Sequence, residues 1–324
     1  MPMRAILPPL PGQPLTLGEI ERPVPGPGQL LVRVRAAGVN RADLAQAAGS
    51  YPPPRGESPV LGLEIAGEVV EVGTAVTQFV MGDPVLGLVA GGGYAEYCLL
   101  DASLAVAKPS TLGFEQAASL PEVWLTAWLN LVELGGLHAG TRVLVHAGAS
   151  GVGSAAIQLA HCHGAWVAAT AGGDAKCAWC RELGADLVVD HRTGDFAAEV
   201  KAMGEVGLIL DTVGGDYLAR NQACLGMDGR IVLIGLLRGV QAQANLGLLL
   251  VKRQQLIGST LRALPVARKA EIGAALWPWL LPRLGDGQVR LTLDRVFPLA
   301  DAAAAHAHVA ANHNLGKVVL RLDD

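Results

Sequence analysis

A run of small residues between a strand pattern and a helix pattern constrains this fold more than any other feature of the sequence. The run extends from His146 to Gly153, after the apolar stretch Thr141–His146 and before the helical pattern Ser154–His163. Small residues let the backbone approach a pyrophosphate, and the N–H groups at a helix N-terminus favour an anion. Ser150 replaces the second glycine of the G-x-G-x-x-G pattern. We predict a dinucleotide-binding turn, rather than an ordinary glycine-rich turn, formed by Gly148, Ser150, Gly151, Val152 and Gly153.

Strand and helix patterns alternate after this turn. Short apolar runs of the kind that are buried on both faces lie at Ala165–Thr170, Leu187–Val189, Leu208–Leu210 and Arg230–Ile234. A helical pattern at Lys176–Leu183 separates the first two of these runs. Strands separated by helices pair in parallel through right-handed crossovers. The pattern therefore predicts an α/β unit over residues 122–265, a doubly wound parallel sheet of the Rossmann type.

Short strand patterns dominate the first third of the chain instead. They lie at Leu30–Ala36, Ile65–Val72, Val80–Leu88 and Tyr94–Leu100. Their length and spacing predict a partly closed antiparallel barrel. Barrel-like character returns after Gly285, where Lys317–Leu322 has the pattern of a closing strand. We therefore predict a split, mainly β domain over residues 1–121 and 266–324, with the parallel sheet inserted in it.

The end of the second parallel strand bears on the choice between NAD and NADP. An NAD site places an acidic residue there to accept from the ribose 2′-OH, whereas this strand ends in Thr170-Ala171-Gly172-Gly173. Lys176 and Arg192 follow, and cations favour the 2′-phosphate of NADP. Asp174 favours NAD if it binds the ribose. Alternatively, Asp174 only caps a helix that starts at Ala175. The pattern favours NADPH over NADH.

Two later turns follow strands of the same sheet. Ligands of such sheets bind outside the carboxyl ends of the strands. The turn Asp211–Gly215 and the turn containing Gly235 and Leu236 are therefore predicted contacts on the nicotinamide side, with plain turns as the alternative.

Composition excludes several classes of protein for this 324-residue chain. Its net charge is −4 and its aromatic content 4%, so we expect neither a nucleic-acid partner nor a membrane-surface partner. The first ten residues lack the apolar core of a signal peptide, and no apolar run approaches the length that spans a bilayer. An odd number of cysteines, five, suggests reduced thiols and a cytoplasmic location.

Several motifs together resemble a known family across nearly the whole chain. They are Asn40-Arg41-Ala42-Asp43-Leu44, Tyr51-Pro52-Pro53-Pro54, Leu61-Gly62-Leu63-Glu64, Pro121-Glu122 with Trp124 to Ala127, His146 to Gly153, Asp211 to Gly215, and Asn314 to Leu320. The set resembles the medium-chain dehydrogenase/reductase superfamily and, within it, the zinc-free quinone oxidoreductase (zeta-crystallin-like) family, in particular its tumour-suppressor-induced branch. The resemblance implies a Rossmann domain inserted in a split, GroES-like catalytic domain.

Metal ligands are the point where this chain departs from zinc-dependent relatives. Those relatives carry Cys-His at the position of Asn40-Arg41 and Gly-His-Glu at the position of Gly62-Leu63-Glu64. Because a catalytic zinc needs about three Cys, His or carboxylate ligands, we expect no metal. We interpret Cys177 and Cys180 as small apolar side chains of a helix, and His306, His308 and His313 as surface residues.

The resemblance also implies roles for individual residues. Asn40, Asp43 and Tyr51 would line the substrate cleft beside the nicotinamide, where Tyr51 could donate a proton. The alternatives are helix capping for Asn40 and Asp43, and packing against Pro52–Pro54 for Tyr51. Lys176 matches the family's 2′-phosphate lysine. Further cofactor contacts would come from Thr126, Gly172, His191, Arg192 and Asn314.

The leading functional hypothesis is an NADPH-dependent reductase that passes hydride to a quinone without a metal ion. A reductase of alkenal or enone double bonds, with a conjugated carbonyl substrate, is the alternative within enzymes. A crystallin-like or sensor protein that binds NADPH without turnover is the alternative from another class. The apolar stretch Gln255–Leu261 has the pattern of an edge strand, through which we expect a homodimer.

Overall fold

A computed structural model describes residues 1–8 and 12–323, which form two units. The first comprises Met1–Val123, Arg262–Gly287 and Leu291–Asp324. The second comprises Trp124–Leu261 with Gln288–Arg290. The chain thus leaves the first unit twice, once for the long segment Trp124–Leu261 and once for the three residues Gln288–Arg290.

The first unit is built on a seven-stranded sheet with the order β14-β15-β3-β4-β5-β7, in which β6 also pairs with β3. Its strands are β3 (Gln29–Val39), β4 (Glu64–Val72), β5 (Pro84–Leu88), β6 (Tyr97–Asp101), β7 (Ala105–Ala107), β14 (Leu293–Pro298) and β15 (Lys317–Arg321). A separate antiparallel hairpin joins β1 (Pro2–Ile6) and β2 (Leu17–Glu21). The pairing is antiparallel as predicted, except that β14 runs parallel to β15.

The central strand β3 packs closely against its neighbours. It pairs with β4, β6 and β15, and most of its residues are buried. Gly67 of β4 lies opposite Val34, and a Cβ atom at Gly67 would stand 2.8 Å from Cγ1 of Val32 and overlap the Arg33 carbonyl oxygen. Only glycine allows this approach of the two backbones.

Helices of the first unit pack on the sheet and supply some of its buried polar side chains. They are α1 (Arg41–Ala47), α2 (Phe114–Ala117), α9 (Val266–Gly285) and α10 (Ala302–Ala310), the last preceded by a short 3₁₀ turn, Leu299–Asp301. The helix α3 (Pro121–Ala127) begins at Pro121, where a proline is favourable because the first helical N–H has no partner. It continues into a π-helical segment, Trp128–Glu133.

The second unit is a six-stranded, wholly parallel sheet with the order β10-β9-β8-β11-β12-β13. Its strands are β8 (Arg142–Val145), β9 (Trp166–Ala171), β10 (Leu187–Asp190), β11 (Val206–Asp211), β12 (Leu225–Leu233) and β13 (Gln255–Gly258). Its helices are α4 (Gly151–Cys162), α5 (Asp174–Glu182), α6 (Phe196–Ala202), α7 (Tyr217–Cys224) and α8 (Leu246–Val251). The predicted doubly wound Rossmann sheet is confirmed.

Several element boundaries differ from the sequence prediction for identifiable reasons. Val80–Asp83 is a turn rather than strand, because Oδ2 of Asp83 accepts the Val80 N–H at 2.8 Å and Gly82 has a φ of 95°. The predicted strand Gln255–Leu261 ends at Gly258, where the strand that it pairs with, β12, ends at Leu233. Helix α5 begins at Asp174 with Gly173 as its N-cap, so Asp174 is not the cap.

Within the described ranges, no helix combines the length and the apolar composition needed to cross a membrane.

The short helix α8 is apolar, yet none of its residues is buried. Leu246, Leu250 and Val251 are 75%, 79% and 70% exposed.

Candidate functional site

The predicted dinucleotide turn joins β8 to α4. Ser150 is the N-cap of α4, and its Oγ accepts the Gly153 N–H at 3.1 Å. Ser150 thus has a defined role at the position where the common pattern has glycine. The first turn of the 12-residue helix leaves backbone N–H groups without intrahelical partners, and these are the donors an anion can use.

Two glycines of the turn are required by packing. A Cβ atom at Gly153 would overlap the carbonyl oxygen of Ala147, and a Cβ atom at Gly148 would stand 2.8 Å from Sγ of Cys180. Helix α4 therefore lies closer to β8 than any other residue would allow. Cys177 and Cys180 are buried on α5, as predicted. This close approach keeps the turn small, which fits the pyrophosphate of a nicotinamide dinucleotide.

A buried polar network, which the sequence did not reveal, fixes the carboxyl ends of three strands around the turn. His146 hydrogen-bonds through Nδ1 to Oγ1 of Thr170 at 3.0 Å and through Nε2 to Oδ1 of Asn221 at 2.7 Å. Nδ2 of Asn221 donates to Asp211 at 2.9 Å, and Asp211 also accepts the N–H groups of Val213 and Gly214. Burial lowers the pKa of His146, which keeps the ring neutral. The network holds β8, β9 and β11 in register at the predicted cofactor edge.

The residues predicted to select the 2′-phosphate converge at the end of β9. A Cβ atom at Gly172 would stand 2.9 Å from Nε2 of His191, and one at Gly173 would overlap the Arg192 guanidinium. His191 and Arg192 therefore lie over the two glycines, and both are exposed. Lys176 is half-buried on the first turns of α5.

Asp190 adds an acidic group to this cluster. Its Oδ2 accepts the Gly173 N–H at 3.0 Å and an Arg192 N–H at 3.0 Å. These bonds to Arg192 hold the pKa of Asp190 well below its ordinary range. The Arg192 guanidinium is thus anchored beside the glycines by a carboxylate at the end of β10.

The other predicted cofactor residues are more dispersed. Thr126 is nearly buried in α3, and its carbonyl accepts from Nδ2 of Asn130 at 2.7 Å. Gly235 follows β12, and a Cβ atom there would stand 2.6 Å from the Thr212 carbonyl oxygen. Leu236 is 49% exposed. Asn314, in the first unit, donates through Nδ2 to the Gly316 carbonyl at 2.7 Å.

In the first unit, Asp43 is fully buried and both of its carboxylate oxygens have partners. Oδ2 accepts the Asn40 N–H at 2.8 Å and the Tyr94 hydroxyl at 3.2 Å, and Oδ1 accepts the Gly62 N–H at 3.0 Å. Burial raises the pKa of Asp43 to about 6 against the effect of these bonds. Because both carboxylate oxygens bind groups of the protein, we reinterpret Asp43 as a positioning residue.

Asn40 belongs to a buried ion pair that the sequence did not predict. The Lys317 ammonium contacts a Glu64 carboxylate oxygen and donates to Oδ1 of Asn40 at 2.8 Å, while Nδ2 of Asn40 donates to Glu64 at 2.8 Å. The side chains of Lys317 and Glu64 are 2% and 0% exposed. Gly38 makes room for this carboxylate, because a Cβ atom there would overlap it.

A lysine ammonium at this point does not fit a zinc ion. Asn40 and Leu63 stand at the cysteine and histidine positions of the zinc-dependent pattern, and Asn40 and the retained Glu64 both bind Lys317. In the described part of the chain, no three His, Cys, Asp or Glu side chains are grouped so that they could hold a metal.

The interpretation of His306 as a surface residue is wrong. His306 is 8% exposed, and its Nε2 lies 3.2 Å from the hydroxyl of Tyr94. That hydroxyl donates its one proton to Asp43, so Nε2 carries the hydrogen of the second bond. The chain Asp43–Tyr94–His306 ties α1 to α10 through the core. Alanines dominate α10, and this composition concealed which face is buried.

His306 makes stability sensitive to acid. Burial lowers its pKa from 6.5 to about 4, so the folded state favours the neutral ring. As pH falls from about 6.5 to 4, the imidazole of the unfolded chain takes up a proton that the folded chain does not, and the contribution of His306 to stability falls by about 3 kcal/mol. Asp43 contributes with the opposite sign over the same range, because its pKa is raised, so the comparison with the variant isolates His306. We expect His306→Gln to lose this dependence, as measured by urea unfolding from pH 8 to pH 4. The exposed His313→Gln should follow the wild type. A constant difference between wild type and His306→Gln across this range would contradict the assignment.

Tyr51 lies in a second polar cluster of the first unit. The guanidinium carbon of Arg262 is 5.5 Å from the centroid of its ring. Burial raises the pKa of Tyr51, with a further rise from Glu122, so the phenol keeps its proton at neutral pH. Burial and the charge of Glu64 raise the pKa of Glu122 to about 8. Tyr51 is therefore a protonated phenol whose ring lies under a fixed cation.

Comparison with known families agrees with this architecture. The family described as alcohol dehydrogenase GroES-like domain matches residues 26–110, and the family described as zinc-binding dehydrogenase matches residues 151–279. An alcohol dehydrogenase superfamily protein from Novosphingobium aromaticivorans is 32% identical, with a TM-score of 0.86 over 99% of this chain and 100% of that one.

Other similar proteins differ in the activity that their names state. The phthioceranic/hydroxyphthioceranic acid synthase of Mycobacterium tuberculosis is 34% identical over 96% of this chain, which spans 15% of that protein's length. The CurK enoyl reductase is 29% identical, with a TM-score of 0.87 over 99% of both chains. The quinone oxidoreductase from Coxiella burnetii is also 29% identical, with a TM-score of 0.82 over the full length of both chains. This chain belongs to the medium-chain dehydrogenase/reductase superfamily.

Proposed function

We propose that this protein is a cytoplasmic, NADPH-dependent quinone oxidoreductase that transfers hydride without a metal ion. The observation that carries the proposal is the position of the Lys317 ammonium, between Asn40 and Glu64. With asparagine at position 40, leucine at position 63 and a lysine ammonium bound between Asn40 and Glu64, the site lacks the cysteine and histidine of the zinc-dependent pattern and holds a cation of its own. An acceptor that is already electrophilic, such as a quinone, needs no activation by a metal ion.

The residues of the first unit supply the remaining chemistry. The bound nicotinamide supplies a hydride, and the negative charge that follows it onto the acceptor must be stabilised and then neutralised by a proton. Tyr51 has the properties of the proton donor, because burial keeps its phenol protonated. Asn40 and Asp43 hold the start of helix α1 in place through their hydrogen bonds to Glu64, Gly62 and Tyr94. The motifs around Asn40 and Tyr51 also support the narrower placement in the tumour-suppressor-induced branch of quinone oxidoreductases.

Reduction of a double bond conjugated to a carbonyl is the second candidate. The likeness to the CurK enoyl reductase, at 29% identity over 99% of both chains, favours it. A quinone and an enone both place the incoming electron pair on a carbonyl oxygen, so the same Tyr51 hydroxyl serves either acceptor.

Turnover in the presence of EDTA tests the proposal. We expect NADPH oxidation to depend on 1,4-benzoquinone or 9,10-phenanthrenequinone and to be faster than with an alkenal. A faster reaction with the alkenal would instead favour the double-bond reductase. No acceptor-dependent loss of NADPH would identify a binding protein without turnover, and a requirement for added zinc would overturn the metal-free mechanism.

The preference for NADPH is tested at Lys176. We propose that Lys176, His191 and Arg192 bind the 2′-phosphate, and a charge-assisted hydrogen bond contributes about 1.5–3 kcal/mol. Lys176→Ala should therefore raise the Kd for NADPH by about tenfold to a hundredfold and leave that for NADH unchanged, in a titration of nicotinamide fluorescence. Lys201→Ala is the control, because it removes the charge of an exposed lysine on α6. Wild-type affinity for NADH equal to or stronger than that for NADPH would overturn the cofactor assignment.

We also propose a homodimer through the edge strand β13 and the apolar helix α8. Leu256 of β13 is 47% exposed, and Leu246, Leu250 and Val251 of α8 are largely exposed. An uncovered apolar helix beside an uncovered sheet edge favours pairing with a second copy. Sedimentation should give a dimer, and Leu250→Glu should give a monomer. Val80→Glu, at a separate exposed apolar side chain, should remain dimeric. A monomeric wild-type protein at micromolar concentration would refute this interface.

A further inference from the structure

Arg262 is a buried cation with an unused hydrogen-bond donor. The residue is 4% exposed. Its Nε donates to the Ala90 carbonyl oxygen at 2.8 Å, and Nη2 donates to the same oxygen. Nη1 is buried and has no hydrogen-bond partner among the described residues. The two hydrogen bonds to the Ala90 carbonyl fix the plane of the guanidinium. Nη1 is the donor that remains available.

The surroundings of Arg262 make this free donor costly. Lys269 is a second buried cation, 4% exposed, and its ammonium donates to the Arg262 carbonyl oxygen at 3.1 Å. Burial lowers the pKa of Arg262 and that of Lys269. Asp43, Glu57 and Glu122 act on the guanidinium through space. A buried charge whose donor lacks an acceptor is unfavourable and rare in folded proteins. A ligand oxygen that accepts from Nη1 would supply the missing hydrogen-bond partner.

Tyr51 indicates which ligand atom belongs there. Its ring centroid is 5.5 Å from the Arg262 guanidinium carbon, so the cation lies over the ring of a protonated phenol of the same unit. This pair suits an oxygen that is neutral on arrival, becomes negative during reaction and is then protonated.

We propose that Arg262 binds the acceptor, with Nη1 donating to the carbonyl oxygen that becomes negatively charged on reduction. The inference rests on the proposed function and names a further catalytic residue for it. Hydride adds to one carbonyl oxygen of the quinone and forms its O–H bond, while the C–H bond of the nicotinamide breaks and the nicotinamide is oxidised. The π electrons shift through the ring, which becomes aromatic, onto the opposite carbonyl oxygen, which becomes the oxyanion. Arg262 holds this oxyanion until a proton from Tyr51 or water completes the hydroquinone. The guanidinium keeps its own proton throughout.

The first measurement is independent of turnover. The probe is 4-nitrophenol, a ring with one ionisable oxygen whose phenolate absorbs visible light. Binding to the wild-type protein should lower the apparent pKa of the probe by about one unit, which corresponds to tenfold stronger binding of the phenolate than of the phenol. Arg262→Gln should abolish the shift. Arg262→Lys keeps the charge but removes Nη1, and it should retain only part of the shift.

The second measurement is kinetic. Removal of one oxyanion donor typically costs about a hundredfold or more in kcat, so Arg262→Gln should lose about a hundredfold in kcat/KM for 1,4-benzoquinone. Its Kd for NADPH should be unchanged. Arg268→Gln removes an exposed charge from the same helix as Lys269 and should behave as the wild type.

The outcomes separate this inference from the proposed function. If the wild-type protein lowers the pKa of the probe but oxidises no NADPH, the Arg262 site stands and the proposed quinone reductase activity is refuted. An Arg262→Gln variant with a wild-type probe shift and wild-type kcat/KM would refute the Arg262 site alone. A weaker Kd for NADPH with unchanged probe binding would assign the guanidinium to the cofactor and overturn the inference. Arg262→Lys provides the same comparisons if Arg262→Gln does not fold.

Discussion

Replacing Lys317 by methionine is expected to lower the free energy of unfolding by about 3–5 kcal/mol, as measured by urea denaturation. The ammonium contacts Glu64 and donates to the amide oxygen of Asn40 and to the Val39 carbonyl. Methionine has a similar volume but leaves the Glu64 carboxylate buried without a cation. The large effect therefore reflects an uncompensated buried charge rather than a lost surface attraction.

Two further variants test this explanation. Adding Glu64→Gln to Lys317→Met removes the stranded charge, so the double variant should be more stable than Lys317→Met alone. Arg253→Met breaks the pair with Asp228, whose side chains are 62% and 60% exposed, and should cost less than about 1 kcal/mol. A Lys317→Met protein within about 1 kcal/mol of the wild type would show that the ion pair is not a structural centre of the first unit.

The second large effect is expected at Gly153. An alanine Cβ there would overlap the Ala147 carbonyl oxygen, and a backbone atom cannot rotate away. Helix α4 must therefore move from β8, at a cost of about 1–3 kcal/mol. Because the displaced helix N-terminus carries the donors for the pyrophosphate, the Kd for NADPH should rise by about a hundredfold. Fluorescence titration and urea denaturation measure the two effects.

Gly207 in β11 provides the matched control. A Cβ atom at Gly207 meets no atom within 4 Å, so Gly207→Ala should keep both stability and cofactor affinity. If Gly153→Ala bound NADPH as tightly as the wild type, the turn at Ser150 would not be the cofactor site.

The parallel sheet could be predicted because its signals are local. Each strand of the second unit is an apolar run, such as that of β9 or β11, and the turn at Ser150 lies directly between a strand and a helix. Burial on both faces requires apolar residues at every position of the strand, and a tight turn requires small ones. These requirements leave a pattern within ten or fifteen consecutive residues.

The polar clusters could not be predicted, because their members are far apart in the chain. Lys317 lies 253 residues from Glu64, and Tyr94 lies 212 residues from His306. Each of these side chains is ordinary in its own segment. His306 in particular stands in an alanine-rich helix whose buried face no apolar stripe identifies. Similarly, the sequence of the turn after β13 does not show that Arg262 is buried against Ala90.

The sequence alone determined the parallel sheet, the glycine-rich turn before α4, and the absence of histidine and cysteine from the zinc-ligand positions. The tertiary structure decided what occupies that place, since the antiparallel pairing of β3 with β4 and β15 brings Asn40, Glu64 and Lys317 together. The physical reason is that hydrophobic periodicity and turn chemistry act between neighbours in the chain. A buried charge instead requires a partner in space, and the register of distant strands chooses that partner.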